Sequence, residues 1–234
     1  MNKQFSIRWY FCIIFCLFNT LKITAQSPVI EFKKGEKNTF TYKGDLQKKK
    51  IPGLIKKQAL IALSYYPELN NTKIVFRLRK RKTPLSCRPR ITSIFKKKKN
   101  RTYIITISTG TNTTLAPILF SKLPYNAQIG VLGHELGHVF DYKNKNSFQI
   151  IGLSFKILNP KFVDSFEFHT DHIAITHGLG YQLLDWSTYV RKALGIKEWK
   201  GASSDLTSAT SPENQRYMNP DTIKEKMSAL EMYN

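Results

Sequence analysis

Residues 127–140 read AQIGVLGHELGHVF, and this run decides the fold. Ile129, Val131, Leu132, Leu136, Val139 and Phe140 spread apolar side chains over most of a helical circumference, the pattern of a buried helix. Pro124 precedes it and Asn126 is placed to cap it. His134, Glu135 and His138 lie in its middle, where polar and charged groups are costly unless they find partners. Two imidazoles four residues apart stand one above the other on a helix face, about 5–6 Å between Cβ atoms. That separation lets both reach one ion at about 2.0–2.1 Å, so the H-E-x-x-H spacing points to bound zinc. Glu135 turns to the neighbouring face, where it reaches a water activated by the metal rather than the metal itself. It is the candidate general base.

All five histidines of the chain fall between positions 134 and 177. A zinc site needs a third protein ligand, and residues 165–172 (SFEFHTDH) offer it. Glu167 and Asp171, four apart, share a helix face with Ala174 and Gly178, small residues that allow close helix approach. Glu167 is assigned as the third ligand. Asp171 is assigned to orient a ligating histidine through its other ring nitrogen. His169 and His172 are the rival ligands. Asp141 could brace the first helix or ligate in its turn. His177 and Tyr181 are candidate transition-state donors, with a helix C-terminal position as the plainer role for His177.

Working outward, Pro160 opens a second helix capped by Asn159 and running to Gly178 or Gly180. A third is expected over residues 182–194, and Asn219-Pro220 opens a last one reaching about Leu230. Residues 196–218 read as loop. Upstream, residues 54–66 have helical apolar spacing and end at Pro67. Three strands are expected: residues 73–79 (KIVFRLR), 90–95 (RITSIF) and 102–108 (TYIITIS). The Lys-rich connection 96–101 makes the last two a hairpin. The fold class is therefore α+β: a short twisted sheet, the HELGH helix and a second helix bearing a ligand.

The chain has 234 residues and a net charge of +21, unevenly spread. Residues 26–104 carry 22 Lys and Arg against 4 Asp and Glu, whereas residues 105–234 carry 12 of each. A solvated basic face explains this, and a polyanionic partner such as acidic envelope lipid is the sharper alternative. No aromatic-interleaved motif points to specific nucleic-acid binding. Lys3, Arg8 and the mostly apolar residues 9–21, followed by Ala25, have the layout of a secretory signal peptide over residues 1–25. The apolar stretch is shorter than the ~20 residues of a spanning helix, so no stable membrane insertion is expected after its removal. Residues 26–50 read as a basic arm and 51–234 as the domain. Cys12 and Cys16 lie in the leader, which leaves Cys87 alone and no intramolecular disulfide in the mature chain.

At these residues the sequence resembles the zincin metallopeptidases, and more narrowly the gluzincin branch, in which HExxH is followed on a later helix by a Glu ligand and, four residues on, an Asp. Residues 167–174 (EFHTDHIA) are similar to the E-x-x-x-D-x-x-A pattern of the CAAX-type membrane proteases and their small soluble relatives, with Thr170 where Ala is frequent. The resemblance spans residues 125–178. It implies a minimal zincin core and an edge strand, with residues 102–108 the candidate, that aligns a peptide by strand addition. The extended pattern H-E-x-x-H-x-x-G-x-x-H does not fit, because Asp141 and Asn144 stand at its last two positions. The expected function is a secreted or periplasmic zinc metallopeptidase acting on peptide or protein substrates. The alternative is an exported, non-catalytic binding module stapled by zinc, with a basic surface.

Overall fold

The computed structural model describes residues 26–36, 41–196 and 217–234. The leader expected over 1–25 and most of the loop expected over 196–218 lie outside the described residues. The fold is mixed α+β, with an open four-stranded sheet and helices. The strands are β1 (Lys49–Lys50), β2 (Lys73–Leu78), β3 (Leu85–Pro89) and β4 (Thr102–Ile107), in the order β1-β2-β4-β3. β1, β2 and β4 are parallel and β3 is antiparallel to β4. β4 is buried along nearly its whole length, as the apolar run TYIITI requires of an interior strand. β2 alternates, sending Ile74 and Phe76 into the core.

Two strand expectations change. Residues 90–95 are not a strand: Ile91–Ser93 forms a 3-10 turn, and Ser93 Oγ accepts from Thr102 N while donating to Arg90 O. Its place in the hairpin is taken by β3, five residues earlier. β3 reads LSCRP, with little apolar signal and a terminal proline, which is tolerated because the strand lies at the sheet edge. β4 in turn is flanked on both sides, so the free edges belong to β1 and β3.

The helices are α1 (Lys56–Ser64), α2 (Tyr125–Asn144), α3 (Ser147–Lys156), α4 (Pro160–Ala174), α5 (Gly180–Ala193) and α6 (Pro220–Ser228). α2 is the hub, packed against α1, α4, α5 and β3. Its glycines permit this. A Cβ at Gly130 would lie 2.1 Å from Gln182 O, and one at Gly137 would lie 3.0 Å from Thr170 Cγ2. Asn126 does not cap α2, since the N-cap is Pro124. Its side chain is instead buried inside the first turn, accepting from Phe32 N at 3.0 Å and Gln182 Nε2 at 3.1 Å. α4 and α6 begin as expected, with Asn159 and Asn219 as caps. α3 was not expected, although Asn146 and Gln149 form a capping box at its start, a helix signal that the sequence carries. A π-helical turn, Ile175–Leu179, joins α4 to α5, with Gly178 at φ 94° making the kink.

The boundary expected at residue 51 does not part an arm from a domain. Phe32 belongs to the core, Val29 and Tyr42 pack on it, and β1 extends the sheet. Lys49 Nζ, buried, donates to Leu69 O, Asn70 O and Thr72 O at 3.0, 3.0 and 2.7 Å. A residue that reads as part of a solvated basic run thus supports the loop before β2.

Candidate metal centre

α2 carries His134 and His138 one turn apart, and α4, brought close by Gly137, carries Glu167 opposite them. The Nε2 atoms of His134 and His138 lie 3.0 and 3.2 Å from Glu167 Oε2. One ligand atom from each of the three residues lies within 4.8 Å of the others, and the two histidines are buried. Ligands at about 2.0–2.1 Å from a tetrahedral ion stand roughly 3.3 Å apart. The cluster has the size of a single-ion site.

The other ring nitrogens show what the cluster needs. His134 Nδ1 is 2.7 Å from Asp171 Oδ1, and a carboxylate can only accept, so Nδ1 carries the hydrogen. His138 Nδ1 is 3.1 Å from Thr170 Oγ1, whose own hydrogen goes to Phe166 O at 2.9 Å. The hydroxyl therefore accepts from the ring. In its neutral form each ring therefore turns an Nε2 lone pair toward Glu167 Oε2, an oxygen with no other hydrogen-bond partner, so a proton or a metal cation has to lie between them. Three buried acceptors aimed at one point repel each other unless a cation lies among them. The donor set of two imidazoles and one carboxylate suits a divalent transition metal. His134, His138 and Glu167 could hold such an ion.

Protons compete for the same place. Burial disfavours a charged His134, but Asp171 and Glu167 outweigh it and raise His134 well above the ordinary histidine value. Burial likewise works against ionised Glu167, yet the two imidazoles hold its carboxyl well below the usual range. Asp171 spends its second oxygen on Met218 N at 2.8 Å, so both of its acceptors are committed.

Glu135 is buried beside the cluster, and its Oε2 also lacks a partner. Burial pushes its carboxyl up, the two histidines pull it down, and Glu167 adds to the rise. Cys87 on β3 faces the same region: burial and the carboxylates of Glu135 and Glu167 push its thiol well up, leaving it a neutral wall residue.

Among the sequence-derived candidates, the structure brings together His134, His138 and Glu167, with Asp171 behind His134. It places the others elsewhere. His169 is exposed and lies 4.0 Å from Asp141, which is itself paired with Lys145. His172 is not in the cluster. His177 and Tyr181, the expected donors, are not among the residues that meet at the cluster. His177 donates to Ile173 O at 2.7 Å, faces Glu68 at 3.5 Å and stacks on Tyr66, because the π turn rotates it away from α4's ligand face. Tyr181 packs edge-on against Tyr233.

Several site residues escaped sequence reasoning. Trp186 and Tyr217 rest against His134 at ring distances of 5.4 and 5.5 Å, and Phe166 stacks on His138 at 5.0 Å. Thr170 stood in the ExxxD run, and its hydroxyl four residues after Phe166 was the one available signal.

The chain matches no protein-family model, no curated protein and no solved structure.

Proposed function

We propose that this chain is an exported zinc-dependent hydrolase of the zincin type, a metallopeptidase whose general base is Glu135. One observation carries the reading: two tautomer-fixed imidazole lone pairs and the unpartnered Glu167 oxygen converge, and a second buried, unpartnered carboxylate stands beside them. A structural staple needs the first three groups and has no use for the fourth. Burying an extra carboxylate is costly, and the rise in its proton affinity that burial causes suits a group that must take a proton and give it back. Zinc, when bound, supplies a Lewis acid that polarises a scissile carbonyl and acidifies water.

The residues of the chain have distinct tasks in this reading. Asp171 and Thr170 keep the two histidines in the ligating tautomer. Glu135 takes a proton from the attacking water and delivers it to the leaving amine. Trp186, Phe166 and Tyr217 exclude bulk solvent from the cluster.

A peptide substrate fits the sheet edge. Arg90 N donates to Thr102 O and Ser108 N to Pro84 O, so by the alternation of an antiparallel pair Cys87 turns its N–H and C=O away from β4. An extended peptide can pair there, next to α2. β3 thus takes the role that the sequence suggested for residues 102–108. Export rests on the layout of residues 1–25.

The test is Glu135→Gln. The variant should keep its zinc and lose hydrolysis of any peptide that the wild type cleaves. Undiminished cleavage would refute the base assignment, and a wild-type protein that binds zinc but cleaves none of a broad peptide library would favour the stapled binding module.

A further inference from the structure

α3 and the two residues after it read SFQIIGLSFKIL over 147–158, in which seven of twelve residues are Phe, Ile or Leu and the one charge is Lys156. Ile150 and Leu153 are buried against the protein. Phe148 and Phe155, seven apart and so on one helix face, are 82% and 69% exposed, and Leu158 is 80% exposed. Gly152 lies between the two phenylalanines with open space beyond it. A helix that is apolar on its solvent face as well as its inner face has a partner.

The charge around it says which partner. The loop of residues 90–101 is tied to the first turn of α3: Ser147 Oγ donates to Ile94 O at 2.8 Å, and Arg101 Nη2 donates to Ser147 Oγ at 3.0 Å. That loop adds Ile91, 69% exposed, and Phe95, 78% exposed, followed directly by Lys96-Lys97-Lys98-Lys99. Residues 90–101 hold six Lys and Arg, residues 142–163 hold four Lys, and neither stretch contains an Asp or Glu. Lys145 is paired with Asp141, but Lys96-Lys97-Lys98-Lys99 and Lys156 have no acidic residue beside them in sequence, and exposed Phe and Leu bordered by such lysines form the composition of a helix that lies in the headgroup layer of an anionic bilayer. Nucleic acid would engage the lysines but leave Leu158 and the phenylalanines in water.

The geometry points to α3 and the 90–101 loop as a docking surface for an anionic lipid bilayer. This stands independently of what the metal centre does. It also sets where that centre sits. Lys156 Nζ lies 5.7 Å over the Phe162 ring, Phe162 stacks on Phe166 at 6.1 Å, and Phe166 stacks on His138 at 5.0 Å. A row of rings leads from the docking surface to a metal-site histidine, so a docked protein presents the site close to the lipid surface.

Vesicles of phosphatidylcholine with phosphatidylglycerol, and of phosphatidylcholine alone, test this with the full chain. Flotation should show at least tenfold stronger partition to the anionic vesicles, and amide hydrogen exchange over residues 147–158 should slow when they are added. Because exchange is read at α3 itself, attachment through residues 9–21 cannot imitate it. F148S/F155S/L158S should lower partition at least tenfold, and K96Q/K97Q/K98Q/K99Q should remove the anionic preference, both with the melting midpoint of the wild type. Unchanged exchange at 147–158, or protection there by a single-stranded oligonucleotide and not by vesicles, would overturn the assignment.

Discussion

Thr170 Oγ1 lies 3.1 Å from His138 Nδ1 while giving its own hydrogen to Phe166 O. One hydroxyl therefore determines which nitrogen of His138 is free to bind a metal. Asp171 does the same for His134 with a charge. The two supports come from adjacent residues of α4, so a single helix both supplies Glu167 and orients the ligands of its neighbour.

Thr170→Val keeps the volume and removes the acceptor. We expect zinc affinity to fall about 10–100-fold, the usual effect of losing such a partner, while Thr170→Ser stays near wild type. Chelator competition measures both. Wild-type affinity in the valine variant would mean that packing alone orients His138.

Glu167→Ala should weaken zinc binding by more than about 100-fold, beyond the range for an outer partner. His169→Ala, at an exposed side chain directed toward Asp141, should change it less than about twofold. Metal content after gel filtration distinguishes them, and the reverse order would move the third ligand to His169.

Zinc uptake should release protons and strengthen with rising pH. His134 is raised above its ordinary value of about 6.5 in the metal-free protein. Its charged contacts therefore stabilise the metal-free fold fully below that value and cease to do so as pH climbs through the higher folded value. Zinc must displace that proton. Calorimetry in two buffers of different ionisation enthalpy reads the release directly. Buffer-independent heats near pH 7 would contradict a protonated His134.

Gly130→Ala should destabilise the protein by about 1–3 kcal/mol or more, because the new Cβ would meet the Gln182 carbonyl, a backbone group that cannot step aside. Gly152→Ala, with nothing within 4 Å, should instead stabilise by about 0.5–1 kcal/mol through helix propensity. Denaturant unfolding checks the pair. Equal and small effects would mean that α2 and α5 are looser than the packing indicates.

Much of the site was legible because its chemistry is local. The i, i+4 spacing of His134 and His138, and of Glu167 and Asp171, survives in sequence as periodicity, and proline and asparagine mark where α4 and α6 start. What was hidden depends on partners distant in the chain. Asn126 looks like a cap until Phe32 and Gln182 come to meet it. β3 has no strand signal of its own and is held by the ladder that β4 offers. His177 follows α4's face by counting, but the π turn breaks the count. The closing of the site by Trp186 and Tyr217 comes from elements that carry no motif.

Tyr217 and Met218 begin the last described stretch of the chain, and they reach the centre directly, the first against His134 and the second through its N–H to Asp171. Ser187 Oγ donates to Met218 O and fastens them to α5. Occupancy of the ion site and seating of the C-terminal stretch are thus two ends of one equilibrium. Whatever draws residues 217–234 off the body would lower metal affinity, and metal would hold those residues down by the same factor, since linkage between two binding events is reciprocal.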